Sequence, residues 1–266
     1  MKWSPEAEAA VNKVPLFIRK KVRKQVAAHV ESLGRFMVHL GDVTALQQQF
    51  LARGGMAKQV KGYDISACFG SEGCPQAAFS TNDLMTDLEN LVKQADILSF
   101  LKTSLGENIK FHHELRIALC DCPNACSRPQ IADIGIMGAM VPVVGSSDCT
   151  GCNACIQACP DQAVMFADQE EKPIIDQDLC QNCGRCIRIC PAHTLETART
   201  GFRVLLGGRL GRHPRLALEM PGLYSHDQVV RVVRTCLEFY KTHAKNGQRF
   251  SRLFTRIDQV IPPNAV

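Results

Sequence analysis

The stretch CTGCNACIQACP (residues 149–160) and its near-copy CQNCGRCIRICP (180–191) decide how the rest of the chain is read. Each is C-x2-C-x2-C-x3-C-P. The short gaps bring three thiolates of a run round a common point, and the proline ends the local turn just after the fourth. In runs of this spacing three cysteines bind one [4Fe–4S] cluster and the fourth binds the other. Cys149, Cys152, Cys155 and Cys190 therefore group at one cluster, and Cys180, Cys183, Cys186 and Cys159 at the second. The competing reading is a pair of tetrahedral zinc sites, which also use C-x2-C. Zinc needs only four thiolates per site and no third cysteine two residues on. Eight cysteines in duplicated register favour iron.

The 266 residues suffice for one large domain or two to three small ones. An apolar fraction of 45% and a charged fraction of 21% are ordinary for a globular protein, and a net charge of +5 is mild. Nucleic-acid binding is not expected: aromatic residues make up 6%, and no base-stacking or groove-reading motif occurs. Neither an apolar signal region in MKWSPEAEAA nor a run of eighteen apolar residues is found, so no membrane span is expected. Fourteen cysteines without a secretory signal fit a reducing cytoplasm, where thiols stay free for metal.

At the start, Ser4-Pro5-Glu6 is a helix N-terminus, and Pro15 divides this helix from a second. Ile18, Val22, Val26, Val30 and Leu33 recur at helical spacing up to Gly34, and a third helix follows Asp42–Thr44. Strands are predicted at 63–69, 115–119, 131–144 and 201–206. One amphipathic helix is predicted over 82–105 and another over 225–245, followed by a short basic helix. Strands on both sides of the cysteine repeat make it an insertion in an α+β host. The expected domains are a helical module (1–54), an α+β host (55–145 and 200–266) and the inserted repeat (146–199).

Six cysteines remain outside the repeat. Cys68 and Cys74 form C-x5-C, and Cys122 and Cys126 form C-x3-C, each pair at the end of a predicted strand in a Gly/Pro-containing loop. A third four-thiolate site is one reading; buried structural thiols are the other. Cys120 and Cys236 read as ordinary buried thiols.

CFGSEGC (68–74) with CDCPNAC (120–126) resembles the C-x5-C…C-P-N-x-C pattern of sirohaem-dependent sulfite and nitrite reductases. GGRLGRHPRLA (207–217) looks like that family's loop beside the sirohaem. The resemblance covers about 55–145 and 200–250; the repeat resembles a bacterial-type ferredoxin with two clusters, as in the family's dissimilatory branch. The opening WSPEAEAAVNKVPLFIRKKVRKQV is similar to a small helical module of a light-independent protochlorophyllide-reductase subunit, which implies docking without chemistry.

The resemblance implies a sirohaem-reductase-type α+β fold. Cys68, Cys74, Cys122 and Cys126 would hold a third [4Fe–4S] cluster, and Cys126 would also bridge to the sirohaem iron. Sirohaem carries eight carboxylates, so Arg203, Arg209, Arg212, His213 and Arg215 are expected as its cations. Gly207, Gly208 and Gly211 are expected to let backbone approach the macrocycle. Arg116, Arg53, Lys58 and Arg128 are expected to neutralise a sulfite or nitrite anion, with Lys61 also flanking the cysteine pairs. The family offers two lysines ahead of C-P-N-x-C, where this chain has Glu114 and Arg116; a carboxylate at Glu114 would oppose an anion. His112 and His113 are nearby proton-donor candidates. The implied activity is multi-electron reduction fed by an external donor protein, in a homodimer or larger redox complex. The alternatives are an electron-transfer subunit with an altered or absent sirohaem site, and a zinc-stabilised interaction protein.

Overall fold

The structure is a computed structural model that describes residues 1–14, 16–52, 60–106, 109–167 and 170–260. Two compact units divide it, Met1–Val60 and Lys61–Val266.

The first unit contains β1 (Lys2–Trp3), α1 (Pro5–Asn12), α2 (Leu16–Ser32), β2 (Met37–Val38) and α3 (Leu40–Ala52). Ser4 starts α1 by accepting the amide of Ala7 at 3.2 Å, and Pro5 occupies the first turn, where no N–H is needed. Ala7, Val11, Val26, Val30, Val38 and Val43 form the core. The helical stripe predicted on α2 reaches the core at Val26 and Val30, but Leu33 at its end is 55% exposed. The chain has by then turned away through Gly34, which has a positive φ of 71°. A parallel pairing of β1 with β2 was not legible in two-residue strands.

The second unit runs β3 (Tyr63–Ala67), α4 (Asn82–Gln94), α5 (Ile97–Leu105), β4 (Leu115–Cys120) and β5 (Ile134–Val144). The cysteine repeats follow, with α6 (Ala154–Ala158), β6 (Val164–Met165), β7 (Ile174–Ile175) and α7 (Arg185–Ile189). Then come β8 (Leu195–Leu206), β9 (Leu218–Glu219), α8 (His226–His243) and α9 (Phe250–Leu253). A mixed α+β fold results. Its sheet has the order β3-β4-β5-β8-β9, parallel from β3 to β5 and antiparallel from β5 to β9. Leu84, Leu88 and Val92 of α4 and Val229, Val233 and Leu237 of α8 are buried with Ile117, Leu119, Ile136 and Val204 of the strands. Among the described residues no helix is long and apolar enough to cross a membrane.

Two of the boundaries that differ from the sequence reading have a local cause. The helix predicted over 82–105 breaks into α4 and α5 because Asp96 adopts φ 46° and caps the next turn, its Oδ1 accepting the amide of Ser99 at 3.2 Å. Strand β8 begins at Leu195, six residues before the predicted start. After the buried Leu195, the rest of its first half, ETART, is polar and exposed, so it lacks a strand's apolar alternation. Pairing with β5 holds it nonetheless, from Val144↔Leu195 onward, with a register shift at Val141/Pro142.

Candidate functional site: three sets of thiols

The two cysteine runs fold alike. In each, the third cysteine lies on a five-residue helix, Cys155 on α6 and Cys186 on α7. Left-handed backbone recurs at matching places: Gly151 and Asn182, Asn153 and Gly184, Gln162 and His193. Gly and Asn, which reach this region most readily, exchange places between the first two pairs, so the repeat is one of backbone shape as well as of cysteines.

The turns draw the fourth cysteine of each run across to the other. One cavity is lined by Cys149, Cys152, Cys155 and Cys190, and a second by Cys159, Cys180, Cys183 and Cys186. Burial, ahead of Cys180 and Cys183, pushes the Cys186 thiol up to about 12, a cost that metal binding would remove by taking the thiolate. No three His, Cys, Asp or Glu side chains among the described residues converge closely enough to hold a single metal ion. Both sets ring a space instead of meeting at a point.

The other four cysteines come together where β3 and β4 end. The amide of Cys68 donates to Leu119 O at 3.1 Å and extends the parallel ladder, which sets Cys68 beside Cys120 and Asp121. Burial pushes the Cys122 thiol up, and the nearby Cys68, Cys126 and Cys74 push it further. Cys68 Sγ accepts from the amides of Gly70 (3.4 Å) and Asp121 (3.3 Å). Cys122 is buried, Cys68 and Cys74 are half-buried, and Cys126 is exposed.

Cys120 is buried behind this set. Its sulfur accepts the amide of Ser127 at 3.2 Å and lies 2.9 Å from the Ser127 hydroxyl; burial leads in pushing its thiol up to about 11. Cys236 is buried in the apolar face of α8. Both are the interior thiols the sequence suggested.

Strand β5 passes all three sets in turn. Met137 pairs with Cys120 and packs in the cluster that Cys68 borders; Met140 bridges to Cys183; Val144 pairs with Leu195, which lines the first cavity. At about 3.3 Å per residue these levels are about 10 and 13 Å apart along the strand.

The basic residues divide into two groups. Arg203 makes a two-point pair with Glu219 (2.6 and 2.7 Å) and also donates to Gln181. Arg209 donates to His213 O at 3.0 Å and to Ser251 O at 2.5 Å. Arg215 donates to Gly207 O and Phe254 O, each at 2.7 Å, and to Ser251 O at 3.3 Å. These three brace the chain's own backbone and side chains. By contrast Arg116, Arg128, Arg212 and His213 are exposed, and their side chains make no hydrogen bond or ion pair among the described residues. Lys61 is exposed as well. Arg53 and Lys58 lie outside the described residues.

Gly207 and Gly208 are required by the chain's own packing. A Cβ on Gly208 would come within 2.5 Å of Gln130 O and 2.7 Å of Ala132 O. One on Gly207 would meet Arg215 Nη2 at 2.4 Å and Phe254 at 2.5 Å. The space at both is filled by this chain, while Gly211 faces open space.

Glu114 is buried and turned inward, its Oε1 accepting the amide of Lys61 at 2.9 Å at the entry to β3. Two residues on, Arg116 is exposed and lies directly opposite Asp64 of β3. The Glu114 carboxyl is thus held in the interior on a backbone amide. His113 Nδ1 accepts the amide of Lys110 at 3.0 Å, and burial, ahead of His112, lowers its pKa, so the ring is neutral near pH 7 with that nitrogen engaged. Asp64 and Asp121 escaped the sequence reading, because only the β3–β4 register brings either to the site.

An α+β sheet carrying three gathered thiol sets defines the class, an iron–sulfur protein. Comparison with known families narrows it: the chain belongs to the nitrite and sulphite reductase 4Fe-4S domain family, whose model matches residues 62–259. The coenzyme F420-dependent sulfite reductase of Methanocaldococcus jannaschii is 32% identical over 183 residues, 69% of this chain and 27% of that protein. An anaerobic sulfite reductase subunit of Salmonella typhimurium is 30% identical over 105 residues, 40% of this chain and 26% of that protein. The chain thus spans about a quarter of the length of the curated relatives it matches. Among solved structures, dissimilatory sulfite reductase I aligns over 74% of this chain and 53% of that one, with 14% identity and a TM-score of 0.49.

Proposed function

We propose that the chain is the iron–sulfur and sirohaem-binding part of a reductase acting on sulfite or nitrite. The observation that carries this reading is the row of three four-thiol sets along β5, in a chain of this family. In this reading the chain divides into a docking module (1–54), a host domain (55–145 and 200–266) and an inserted ferredoxin (146–199). Each thiol set would hold one [4Fe–4S] cluster. The exposure of Cys126 suits a thiolate shared with a second metal, and it is the residue assigned to the sirohaem iron.

When bound, these groups supply the multi-electron reduction chemistry. The chain's own part is placement and charge. Arg116, Arg128, Arg212 and His213 are the cations left to meet sirohaem carboxylates and the oxyanion, and arginine's planar fork suits both. Arg53 and Lys58 join them on the sequence pattern alone. Arg209 and Arg215 act indirectly, by fixing the loop that carries Arg212 and His213, and Arg203 by tying β8 to β9. With Glu114 turned inward, the cations at the surface keep the local field favourable to an anion. Sulfite is the first substrate to test, since the two curated relatives are named for it. An electron-donor protein and a second chain complete the assembly, in a reducing cytoplasm that keeps the thiols available.

Anaerobic purification followed by an optical spectrum tests the cofactor set, and a viologen-driven assay with sulfite and nitrite in parallel tests the substrate. A Soret band with a red band over the broad iron–sulfur absorption is expected, with turnover of at least one anion. Iron–sulfur absorption alone would favour a second reading, an electron-transfer subunit. The engagement of Arg209 and Arg215 with backbone carbonyls is the observation in its favour.

A further inference from the structure

Asp121 sits between Cys120 and Cys122 and is 1% exposed. Its Oδ1 accepts the hydroxyl of Thr81, just before α4, and its Oδ2 accepts that of Ser71, inside the C-x5-C loop, both at 2.7 Å. Ser71 Oγ in turn accepts from Ser80 Oγ at 3.0 Å. The backbone of Asp121 works in the same direction: its amide donates to Cys68 Sγ at 3.3 Å, and its carbonyl accepts the amide of Ala78 at 2.8 Å. Two glycines are fitted round it. A Cβ on Gly70 would lie 2.6 Å from Asp121 Oδ2, and one on Gly138 of β5 would lie 2.8 Å from Asp121 O.

The segment carrying Cys68 and Cys74 has little regular structure after β3 ends, only a short 3-10 turn at Gly70–Glu72. Among the described residues, backbone bonds tie it to the end of β4 only at Cys68, which donates to Leu119 O, and at Ala78, which donates to Asp121 O. One carboxyl group, anchored at the end of β4, gathers Ser71 and Thr81 from either side of Cys74 onto the base of Cys122. We propose that Asp121 is the positioning residue of the third thiol set: it fixes the C-x5-C loop against the C-x3-C loop, so that four thiols from distant parts of the chain stand at cluster spacing. This rests on the reading of Cys68, Cys74, Cys122 and Cys126 as cluster ligands. Hydrogen-bonding partners behind metal ligands typically change metal affinity by about 10- to 100-fold when removed.

The test compares wild type with Asp121→Ala, Asp121→Asn and the pair Ser71→Ala/Thr81→Val, all purified anaerobically as full chains. It reads iron content and the rate at which a chelator removes iron. The eight remaining ligand cysteines serve as an internal control for folding. Wild type is expected to hold about twelve cluster irons, beside the iron of any bound sirohaem. Asp121→Ala should lose about four of them, or release those four about tenfold or more faster while the other eight leave at the wild-type rate. Asp121→Asn keeps the volume and one carbonyl oxygen, and should recover most of the loss. The double hydroxyl variant should reproduce it, and it decides the matter if Asp121→Ala does not fold. Loss spread evenly over all twelve irons, or twelve irons released at wild-type rates in both Asp121→Ala and the double variant, would overturn the proposal. Wild type with only about eight irons would instead overturn the third-cluster reading itself.

Discussion

Replacing Arg215 with Met separates two accounts of the glycine–arginine loop. By sequence resemblance the guanidinium faces sirohaem. In the structure it is half-buried and braces Gly207, Ser251 and Phe254 through their carbonyl oxygens, two of the contacts at 2.7 Å. A hydrogen bond with one charged partner contributes about 1.5–3 kcal/mol. Against the loss of two short ones stands relief from burying the charge, the first cause lowering the pKa of Arg215, and from its neighbour Arg209. Methionine restores much of the apolar stem. A net loss of about 2–3 kcal/mol follows, which for a chain of this size is about 4–12 °C in Tm. Scanning calorimetry on the anaerobically purified protein reads the shift, and the Soret-to-iron ratio of the same sample reads tetrapyrrole content. The reasoning predicts a lower Tm, with Arg215→Lys intermediate because a point charge can reach fewer carbonyls at once. An unchanged Tm with a collapsed Soret band would refute it and return Arg215 to the macrocycle.

Other perturbations follow from the same geometry. Arg249→Ala leaves Asp133, 1% exposed in its side chain, without its guanidinium partner at 2.8 Å, and should cost about 3 kcal/mol in urea unfolding; a change within error would mean that the amides of Arg116 and Ser251 suffice. Burial raises the Glu114 pKa above its ordinary 4.5, so the folded chain holds that proton more tightly than the unfolded one. The stability Glu114 contributes is then complete below about pH 4.5 and is lost as pH rises through the folded value. Glu114→Gln, which can still accept the Lys61 amide, should therefore gain in Tm relative to wild type between pH 4.5 and 7, and a difference flat with pH would contradict this. Cys190→Ala should abolish the reduced EPR signal of the cluster at Cys149, Cys152 and Cys155 while sparing that at Cys180, Cys183 and Cys186; the reverse pattern would break the crossed grouping.

The parts read correctly from sequence are those where local spacing alone determines geometry. Two-residue gaps and a following proline settle how each cysteine run turns; the grouping of Cys190 and Cys159 with the opposite runs came from the ferredoxin pattern, and the two cavities gather the same thiols. The stripes of α4 and α8 were legible for the same reason. Where the reading fell short, a partner distant in sequence decides. Glu114 and Arg116 looked like two charges facing one anion, yet the Glu114 carboxyl is buried on the Lys61 amide while Arg116 is exposed, and only the pairing of β3 with β4 reveals Asp64 across from Arg116. Asp121 reads as a spacer between two cysteines until Ser71 and Thr81 are seen to meet it. Arginines in a glycine loop suggest an anionic ligand by composition; the backbone carbonyls of Ser251 in α9 and of Phe254 just after it, some forty residues on, claim two of them.

Iron and acid-labile sulfide counted on the anaerobically purified full chain test the central claim most directly. Three gathered thiol sets predict about twelve sulfides and about twelve cluster irons per chain, with about one further iron for bound sirohaem. About eight of each would leave the β3–β4 thiols without a cluster, and zinc in place of iron and sulfide would contradict the account altogether.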